Sequence, residues 1–299
     1  MVRFLIVALS LISTLIVQAQ QEMQKDSVPP NGWDTEGNVQ LLFNQSAFNA
    51  EWTGGGTSSI AGNLTANYHI NYRKDRFTWR NTILGNYGLT KVRTDKFPRK
   101  TSDRLDVNSI AGLEIKESGF YYSFFLNFRT QFDKGYKFSE NAEGETTRTE
   151  TTHFLSPAYL QAGPGMMYKK NENFVINLAP ATSRFIFVDD RFTSGPDYRD
   201  GQYFGVDKGE SMRFEFGSSL NILANFELLE DVVMSNSINF YKNYLDKPGN
   251  IDIDYLMDLE MGINKYLSAN LLFQAIYDDN AVAAFQIREV FGVGINYGF

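Results

Sequence analysis

Acidic side chains recur at even intervals on one short segment near the C-terminus. Asp252, Asp254, Asp258 and Glu260 would all lie on the same side of an extended strand, because side chains alternate between the two faces of a strand. Carboxylates in that arrangement could attract cations, order a polar solute or hold calcium weakly. Which of these applies depends on the element that carries the segment and on the charges that face it.

Other residue types suited to catalysis or metal binding are scarce. The chain has 2 histidines and no cysteine. His69 and His153 are far apart in the sequence, and neither belongs to a Ser/His/Asp or paired-carboxylate motif. The glycines at 54–56 are not followed by the lysine and helix that a phosphate-binding loop requires. We therefore expect no enzymatic activity, no cofactor, no metal site and two ordinary polar histidines.

Composition limits the choice of partners and compartment. The formal net charge of −7 argues against a nucleic-acid partner, which would favour a basic surface. A mean hydropathy of −0.30 resembles that of a soluble protein. Strands with one apolar and one polar face average to such a value even when half of each strand faces lipid, so the 15% aromatic content is the better indicator.

A period of two runs through most of the chain, and the final segment shows it well. In residues 285–299, FQIREVFGVGINYGF, the odd positions are apolar except for Glu289, and the even positions are mostly polar or glycine. The segment ends on Phe299, an aromatic residue such as the last strand of an outer-membrane barrel carries. This pattern indicates a strand with one face toward hydrocarbon and the other toward water.

The same periodicity predicts about twelve strands, an even number as bacterial barrels require. They are 39–52, 59–72, 77–90, 105–115, 120–132, 158–168, 174–187, 214–228, 232–240, 251–263, 267–277 and 285–299. The sequence thus predicts an all-β fold, with residues 38–299 forming a single transmembrane antiparallel up-and-down β-barrel.

Connection lengths predict the orientation of the barrel. Five short turns near residues 73, 117, 171, 230 and 264 alternate with the longer links 91–103, 133–152, 189–212, 243–250 and 278–284. Short turns are typically periplasmic and long loops extracellular. The link at 52–58, WTGGGTS, is short although it falls on the outer side, so we expect a tight or inward-folded turn there.

The N-terminus predicts export. Residues 1–19 combine a positive start, an apolar run too short to span a membrane and a small-residue cleavage site after Ala19. Residues 20–37 are polar with two prolines and indicate a flexible periplasmic tail, too short to be a plug domain. We expect an outer-membrane location, with membrane lipid around the barrel and the barrel-assembly machinery as a partner during insertion.

Several short blocks are distributed along the chain: WTGGG at 52–56, LNFRTQF at 126–132, FLSPAYL at 154–160, NIDID at 250–254, NKYLSAN at 264–270 and EVFGVG at 289–294. Together they resemble a family of uncharacterised Gram-negative outer-membrane β-barrel proteins, usually described only as a domain of unknown function. The resemblance covers about residues 35–299. It implies an outer-membrane barrel, and it implies no catalytic or binding residues.

Within such a barrel the acidic segment is the tenth strand and faces the fourth, six strands away. The cations with the same inward direction on and beside the fourth strand are Arg80, Arg104, Lys116 and Arg129. With Asp252, Asp254, Asp258 and Glu260 they are the candidate lumen-lining charges. In a lumen with a backbone radius of roughly 12 Å, two such walls could produce a transverse field that selects ions or polar solutes. Alternatively the charges pair with one another and with neighbours such as Glu215 and fill the interior.

Two functions follow from these alternatives, and an outer-membrane enzyme ranks third behind them. The first is a narrow passive channel for small polar or charged solutes, in which replacing Asp254 and Asp258 together by lysine shifts the preference toward anions. The second is a non-conducting scaffold that docks another envelope or secretion component, of unknown identity. The link 189–212 distinguishes them, because folding inward would gate or block a channel, whereas standing outward would favour docking.

Overall fold

The computed structural model describes residues 31–49, 51 and 56–299. The predicted signal peptide, its cleavage after Ala19, the tail up to residue 30 and residues 52–55 of the first link lie outside this range.

The described residues form a closed antiparallel barrel of twelve strands, as the periodicity predicts. The described residues contain fourteen strands in all, the twelve of the barrel and two more: β1 (Gly32–Ser46), β2 (Ser59–Lys74), β3 (Phe77–Val92), β4 (Arg99–Glu114), β5 (Phe120–Thr130), β6 (Gly135–Glu140), β7 (Thr146–Thr152), β8 (Ala158–Asn171), β9 (Phe174–Phe187), β10 (Met212–Leu229), β11 (Val232–Asn243), β12 (Asp252–Gly262), β13 (Leu267–Asp278) and β14 (Val282–Gly298). The order around the ring is β1-β14-β13-β12-β11-β10-β9-β8-β5-β4-β3-β2, and β6 and β7 form a separate two-stranded sheet. No helix in the described part of the chain is long and apolar enough to cross a membrane.

The strand period separates an apolar exterior from a polar interior. On β14, Ile287, Phe291 and Ile295 are 67%, 57% and 59% exposed, whereas the intervening Gly292 and Gly294 are buried. Exposed apolar side chains continue around the other barrel strands. Because closure pairs the strands with one another around the whole ring, such a wall can cross a bilayer.

The ring closes where β1 meets β14, and the C-terminal aromatic residue lies at this seam. The backbone N–H of Gly37 donates to the Phe299 carbonyl (2.8 Å), and that of Phe299 donates back (2.9 Å). The Phe299 ring stacks between Tyr68 and Tyr297, each with a centroid distance of 6.0 Å. It also lies over Gly37, where a Cβ would overlap it. Six residue pairs join β1 to β14 in the described residues, so this seam is short.

Strand β1 begins seven residues earlier than the sequence indicates. The prediction that residues 32–37 belong to the flexible tail is wrong, because Gly32 pairs with Arg73 and the ladder continues from there. The outward positions of this stretch, which share the parity of Leu41 and Phe43, are Trp33, Thr35 and Gly37, so the apolar period is weak here, as it can be where a strand extends past the hydrocarbon belt. Trp33, near the start of β1, packs on Tyr72 of β2, with 4.9 Å between the ring centroids.

Other strand boundaries also differ from those predicted from the sequence. β1 ends at Ser46 rather than at residue 52, and β4 begins at Arg99, so most of the predicted link 91–103 is strand. The link 133–152 holds the β6–β7 hairpin. Strands extend beyond the membrane as polar ribbons, and their alternation there carries no hydrophobic signal.

One wall of the barrel interior carries an apolar cluster. Tyr121, Met167 and Val175 are buried together, with Ile110 and Leu223 packed against them. These residues come from neighbouring strands, β5, β8, β9, β4 and β10. The cluster thickens this side of the wall. On the opposite side, formed by β12, β13 and β14, buried polar side chains such as Asn270 and Gln274 outnumber the one buried apolar side chain of the described residues there, Leu272.

Candidate functional site: a charge network across the lumen

Opposite walls of the barrel are joined by an ion-pair network centred on Asp254. β12 and β4 are six positions apart in the twelve-strand ring and therefore lie opposite each other. Arg104 of β4 donates from Nη1 to Oδ2 of Asp254 on β12 at 2.8 Å. Arg129 of β5 donates to the same oxygen. We call this contact the Arg104–Asp254–Arg129 bridge.

The bridge shows that the lumen is narrow at this level. An arginine reaches about 7 Å from its Cα and an aspartate about 3.5 Å, so with a 2.8 Å hydrogen bond the two Cα atoms lie within about 14 Å. A circular barrel of twelve strands would be roughly 24 Å across. The cross-section is therefore flattened here. A second contact also crosses the lumen: the Tyr159 hydroxyl on β8 donates to Asp278 Oδ2 on β13 at 3.4 Å, and these strands are five positions apart in the ring.

Neighbouring polar groups complete the coordination of the bridge. Arg104 also donates to Asp106 Oδ2 at 2.6 Å, and Gln274 donates to the second oxygen of Asp254 at 3.2 Å. Asp254 is 6% exposed and Asp106 is 3% exposed. Buried carboxylates need such saturated hydrogen bonding, because an unpaired buried charge is strongly unfavourable.

A second ion-pair group lies beside the bridge. Arg184 of β9 donates to Asp252 Oδ2 at 2.6 Å and contacts Glu215 Oε2 at 2.7 Å. Its guanidinium lies 4.1 Å from the centroid of the Tyr241 ring. Arg213 donates to the other oxygen of Glu215 at 2.8 Å. Asp252 is thus held by an arginine three strands away rather than projecting freely into a lumen.

The remaining two members of the acidic strand have no cation beside them. Glu260 accepts a hydrogen bond from the Asn296 amide at 2.7 Å, and neither it nor Asp258 forms an ion pair within the described residues. Oδ1 of Asp258 is buried without a hydrogen-bond partner in the described structure. The strand is therefore neutralised in the half that begins at Asp252 and acidic in the half that ends at Gly262.

Two predicted cations differ from the expected pairing. Arg80 has the inward parity of β3, but its partner, at 2.8 Å, is Glu172 in the short turn between β8 and β9 rather than a carboxylate of β12. The prediction that Lys116 points into the lumen is wrong. β4 ends at Glu114, and Lys116 lies exposed in the following turn with φ +50°, where the strand alternation no longer applies.

Sequence reasoning missed Arg184 and Arg288 as site residues. Arg184 lies on β9, whose alternation is weak, and Arg288 was identified only as one polar position of β14. Arg288 contacts neutral acceptors: Gln274 Oε1 at 3.0 Å, Asn86 Oδ1 at 3.3 Å and the Thr101 carbonyl at 3.3 Å. Its inward parity on the last strand was the available signal.

A cavity of about 270 Å³ lies between the bridge and the end of the barrel that carries the longer connections, the loop end. Its lining includes Arg104, Arg129, Gln274 and Arg288. On β4 the lining begins at Thr101, near the loop end, and stops at Arg104, which places the bridge at the floor of the cavity. We call this space the loop-end cavity.

The connection between β9 and β10 folds inward at the loop end. The Phe204 ring meets the lumen residue Tyr159 edge-on at 6.4 Å, and the Gly205 carbonyl accepts a hydrogen bond from Arg213 at 2.7 Å. Val206 is fully buried. The Tyr203 hydroxyl donates to the Thr151 carbonyl at 2.7 Å, and burial raises the pKa of Tyr203 above its usual value. This connection covers part of the barrel mouth.

The histidines are separate from the charge network. His69 contacts the Thr82 hydroxyl at 3.1 Å. His153 lies between Glu150 and Asp189, each at 3.3 Å. The nearby Ser156 hydroxyl is fully buried and accepts a hydrogen bond from the Asp189 N–H.

An acidic group lies at the loop end. Oxygens of Asp252, Asp278 and Asp279 lie within 4.8 Å of one another. Asp252 is neutralised by Arg184. Burial raises the pKa of Asp279, but hydrogen bonds from Asn250 and Lys247 outweigh burial and leave that pKa below its usual value. These pairings account for the charge of two of the three carboxylates.

A closed twelve-stranded antiparallel barrel with an apolar outer belt and a polar, charged interior defines this chain as an outer-membrane β-barrel protein. Residues 43–136 match the family described as Protein of unknown function (DUF3078), which confirms the resemblance to an uncharacterised family. No curated protein matches the sequence.

Solved outer-membrane structures are similar over most of the chain. The COG4313 outer membrane channel from Pseudomonas putida F1 is 10% identical, with a TM-score of 0.40 over 93% of this chain and 99% of that one. The translocator domain of the autotransporter NalP from Neisseria meningitidis is 8% identical, with a TM-score of 0.40 over 98% and 96%. The outer membrane phospholipase A from Escherichia coli is 12% identical, with a TM-score of 0.36 over 89% and 97%.

Proposed function

We propose that this barrel is a narrow passive channel for small polar or charged solutes, with the loop end outside the cell and the N-terminal tail in the periplasm. The observation that carries the proposal is the Arg104–Asp254–Arg129 bridge, which is a charged constriction at the floor of a polar cavity. A constriction made of ion pairs can exchange partners with a passing solute, whereas packed apolar side chains cannot.

The polar interior beyond the bridge supports a hydrated path. Gln40, Ser268 and Asn270 are buried polar side chains on β1 and β13, opposite the apolar cluster. Asn296 donates to Ser268 and to Glu260, and both Asn296 and Glu260 are only partly buried. We infer that water reaches this half of the lumen, because polar side chains that retain exposure there can be hydrated.

The alternative is a non-conducting scaffold that docks another envelope or secretion component. It is favoured by one observation, the inward fold of the β9–β10 connection over the cavity side of the mouth. We place it second because the contacts of Phe204 and Gly205 with the barrel lie on β8 and β10, one side of the ring.

The proposal includes no enzymatic activity. It is supported by the burial of the Ser156 hydroxyl, which leaves the serine beside His153 inaccessible as a nucleophile. The partners within the proposal are outer-membrane lipid, the barrel-assembly machinery during insertion and a small polar solute.

Liposome swelling tests the proposal. Vesicles containing the refolded chain from residue 20 should swell in isotonic acetate, glycine or urea faster than empty vesicles, and should not swell in a large sugar. Folding is checked separately by the shift in gel mobility on heating. Swelling no faster than that of empty vesicles, with a folded barrel, would favour the scaffold instead.

A further inference from the structure

The loop-end cavity has more hydrogen-bond donors than its acceptors use. Arg104, Arg129 and Arg288 all line it. Nε of Arg104 and Nε of Arg288 are buried without a partner in the described structure, and so is the hydroxyl of Ser102, another lining residue that is 6% exposed. These atoms have almost no surface open to a water-sized group, so burial leaves both guanidinium groups incompletely hydrogen-bonded within the protein.

The charges around the cavity do not cancel. Asp103, the lining carboxylate, pairs with Lys100 at 2.5 Å and accepts from the backbone N–H groups of Phe132 (2.6 Å) and Asp133 (3.0 Å), so its oxygens are satisfied. Its charge is therefore balanced outside the cavity.

The three arginines of the cavity wall differ in whether a carboxylate neutralises their charge. Arg104 and Arg129 are matched by the two carboxylates Asp254 and Asp106. Arg288 pairs with no carboxylate within residues 31–49, 51 and 56–299, and its contacts are neutral oxygens. One uncompensated positive charge therefore remains in the cavity wall.

We propose that the loop-end cavity is a binding site for a small oxyanion, meaning a free carboxylate or phosphate group, with Arg288 as its principal cation. Guanidinium groups bind both kinds of oxyanion through charge-assisted hydrogen bonds. Such an anion would lie against the Arg288 guanidinium, with Arg104 and Arg129 in the same cavity wall. A cavity of about 270 Å³ limits the ligand to a small molecule.

This inference deepens the proposed channel function, on which it rests for its biological role: the anion is the solute class that gathers above the bridge. Binding itself does not require conduction. The two ideas can therefore fail separately, since a silent barrel that binds phosphate retains the site and loses the channel, whereas a conducting barrel without saturable binding loses the site.

The test is calorimetric titration of the refolded chain in detergent with inorganic phosphate, at an ionic strength held constant with chloride. Saturable binding is expected, and Arg288→Gln should weaken it about 10- to 100-fold, the range for loss of a charge-assisted hydrogen bond. Arg288→Lys should recover part of the loss because the charge remains. Arg80→Gln is the matched control, since Arg80 pairs with Glu172 outside the cavity and its loss should leave binding unchanged.

Acetate serves as competitor and distinguishes the two oxyanions. It should displace phosphate if carboxylates share the site, and failure to do so would overturn that part of the proposal. Absence of saturable phosphate binding, or equal binding by the wild type and Arg288→Gln with both barrels folded, would overturn the site as a whole.

Discussion

Replacing Asp254 by asparagine removes the acceptor charge at the centre of the bridge while keeping the side chain's size. Two guanidinium groups, from Arg104 and Arg129, now share one oxygen of this carboxylate. With a neutral amide in place of the carboxylate, Arg104 still pairs with Asp106, whereas Arg129 loses its only ion-pair partner in the described residues. The Arg129 side chain is also the more exposed of the two, at 23% against 12%. We expect Arg129 to turn toward water and the constriction to widen.

The electrostatic effect can be estimated from the geometry. One unit of charge about 4 Å from a passing ion changes its energy by about 1 kcal/mol in bulk water and by about 4 kcal/mol at an effective dielectric constant of 20. The lower figure corresponds to roughly a fivefold change in relative permeability. Asp254→Asn should therefore raise the preference for anions at least about fivefold, and the widened constriction should also raise unitary conductance.

Reversal potentials and unitary conductances in planar bilayers under a salt gradient measure both effects. Asp258→Asn is the control, because Asp258 lies on the same face of β12, loses the same charge and takes no part in the bridge. The control should shift ion preference without raising conductance. Equal conductances for the wild type and both variants would refute the reasoning that the bridge is the constriction.

Two further predictions concern the barrel wall. Phe299→Ala removes two aromatic stacking contacts at the seam, each worth about 0.5–1.5 kcal/mol, so it should lower the free energy of unfolding of the barrel in lipid by about 1–3 kcal/mol. Phe285→Ala removes one aromatic contact and should destabilise the barrel less. Equal urea midpoints for the two variants would contradict a special role of the seam. The Tyr87 hydroxyl donates to Asp133 and lowers the pKa of that loop carboxylate. The contact therefore stabilises the fold at any pH above the ordinary aspartate pKa, and this stabilisation is lost as the pH falls through the lowered pKa of Asp133. Tyr87→Phe should therefore be less stable than the wild type at pH 7, by under about 1 kcal/mol because Asp133 is exposed, and the difference should vanish in acid; a difference independent of pH would argue against it.

The fold was largely predictable because lipid imposes a simple pattern. Every strand that crosses the hydrocarbon must alternate apolar and polar side chains, and β14 shows this from Phe285 to Tyr297 except at Glu289. The pattern disappears where strands leave the membrane. Asp34 and Glu36 on β1, and Lys100 on β4, lie in paired strands, with a register shift beside Lys100, although the sequence there resembles a tail or a loop.

The sequence predicted which way the charged side chains point, but not the distance between the facing walls. Strand parity and strand count placed Arg104 and Asp254 on facing walls. They could not show that the walls approach closely enough for the side chains to pair, because the flattening of the barrel depends on how the interior is packed. Lys116 illustrates the opposite error, since parity was extended past the last residue of β4.

Arg288 illustrates a third limit. Its importance comes from the absence of a carboxylate around it among the described residues, and a single sequence shows which charges face inward but not which of them remain unpaired.

The central claim is that a charged solute can pass the Arg104–Asp254–Arg129 bridge. It is tested most directly by the unitary conductance of the refolded wild-type chain, from residue 20 to Phe299, in a planar bilayer. The account predicts small, discrete current steps that grow with voltage. A folded, inserted barrel that gives no steps at any applied voltage would contradict it and would leave the bridge as a structural brace.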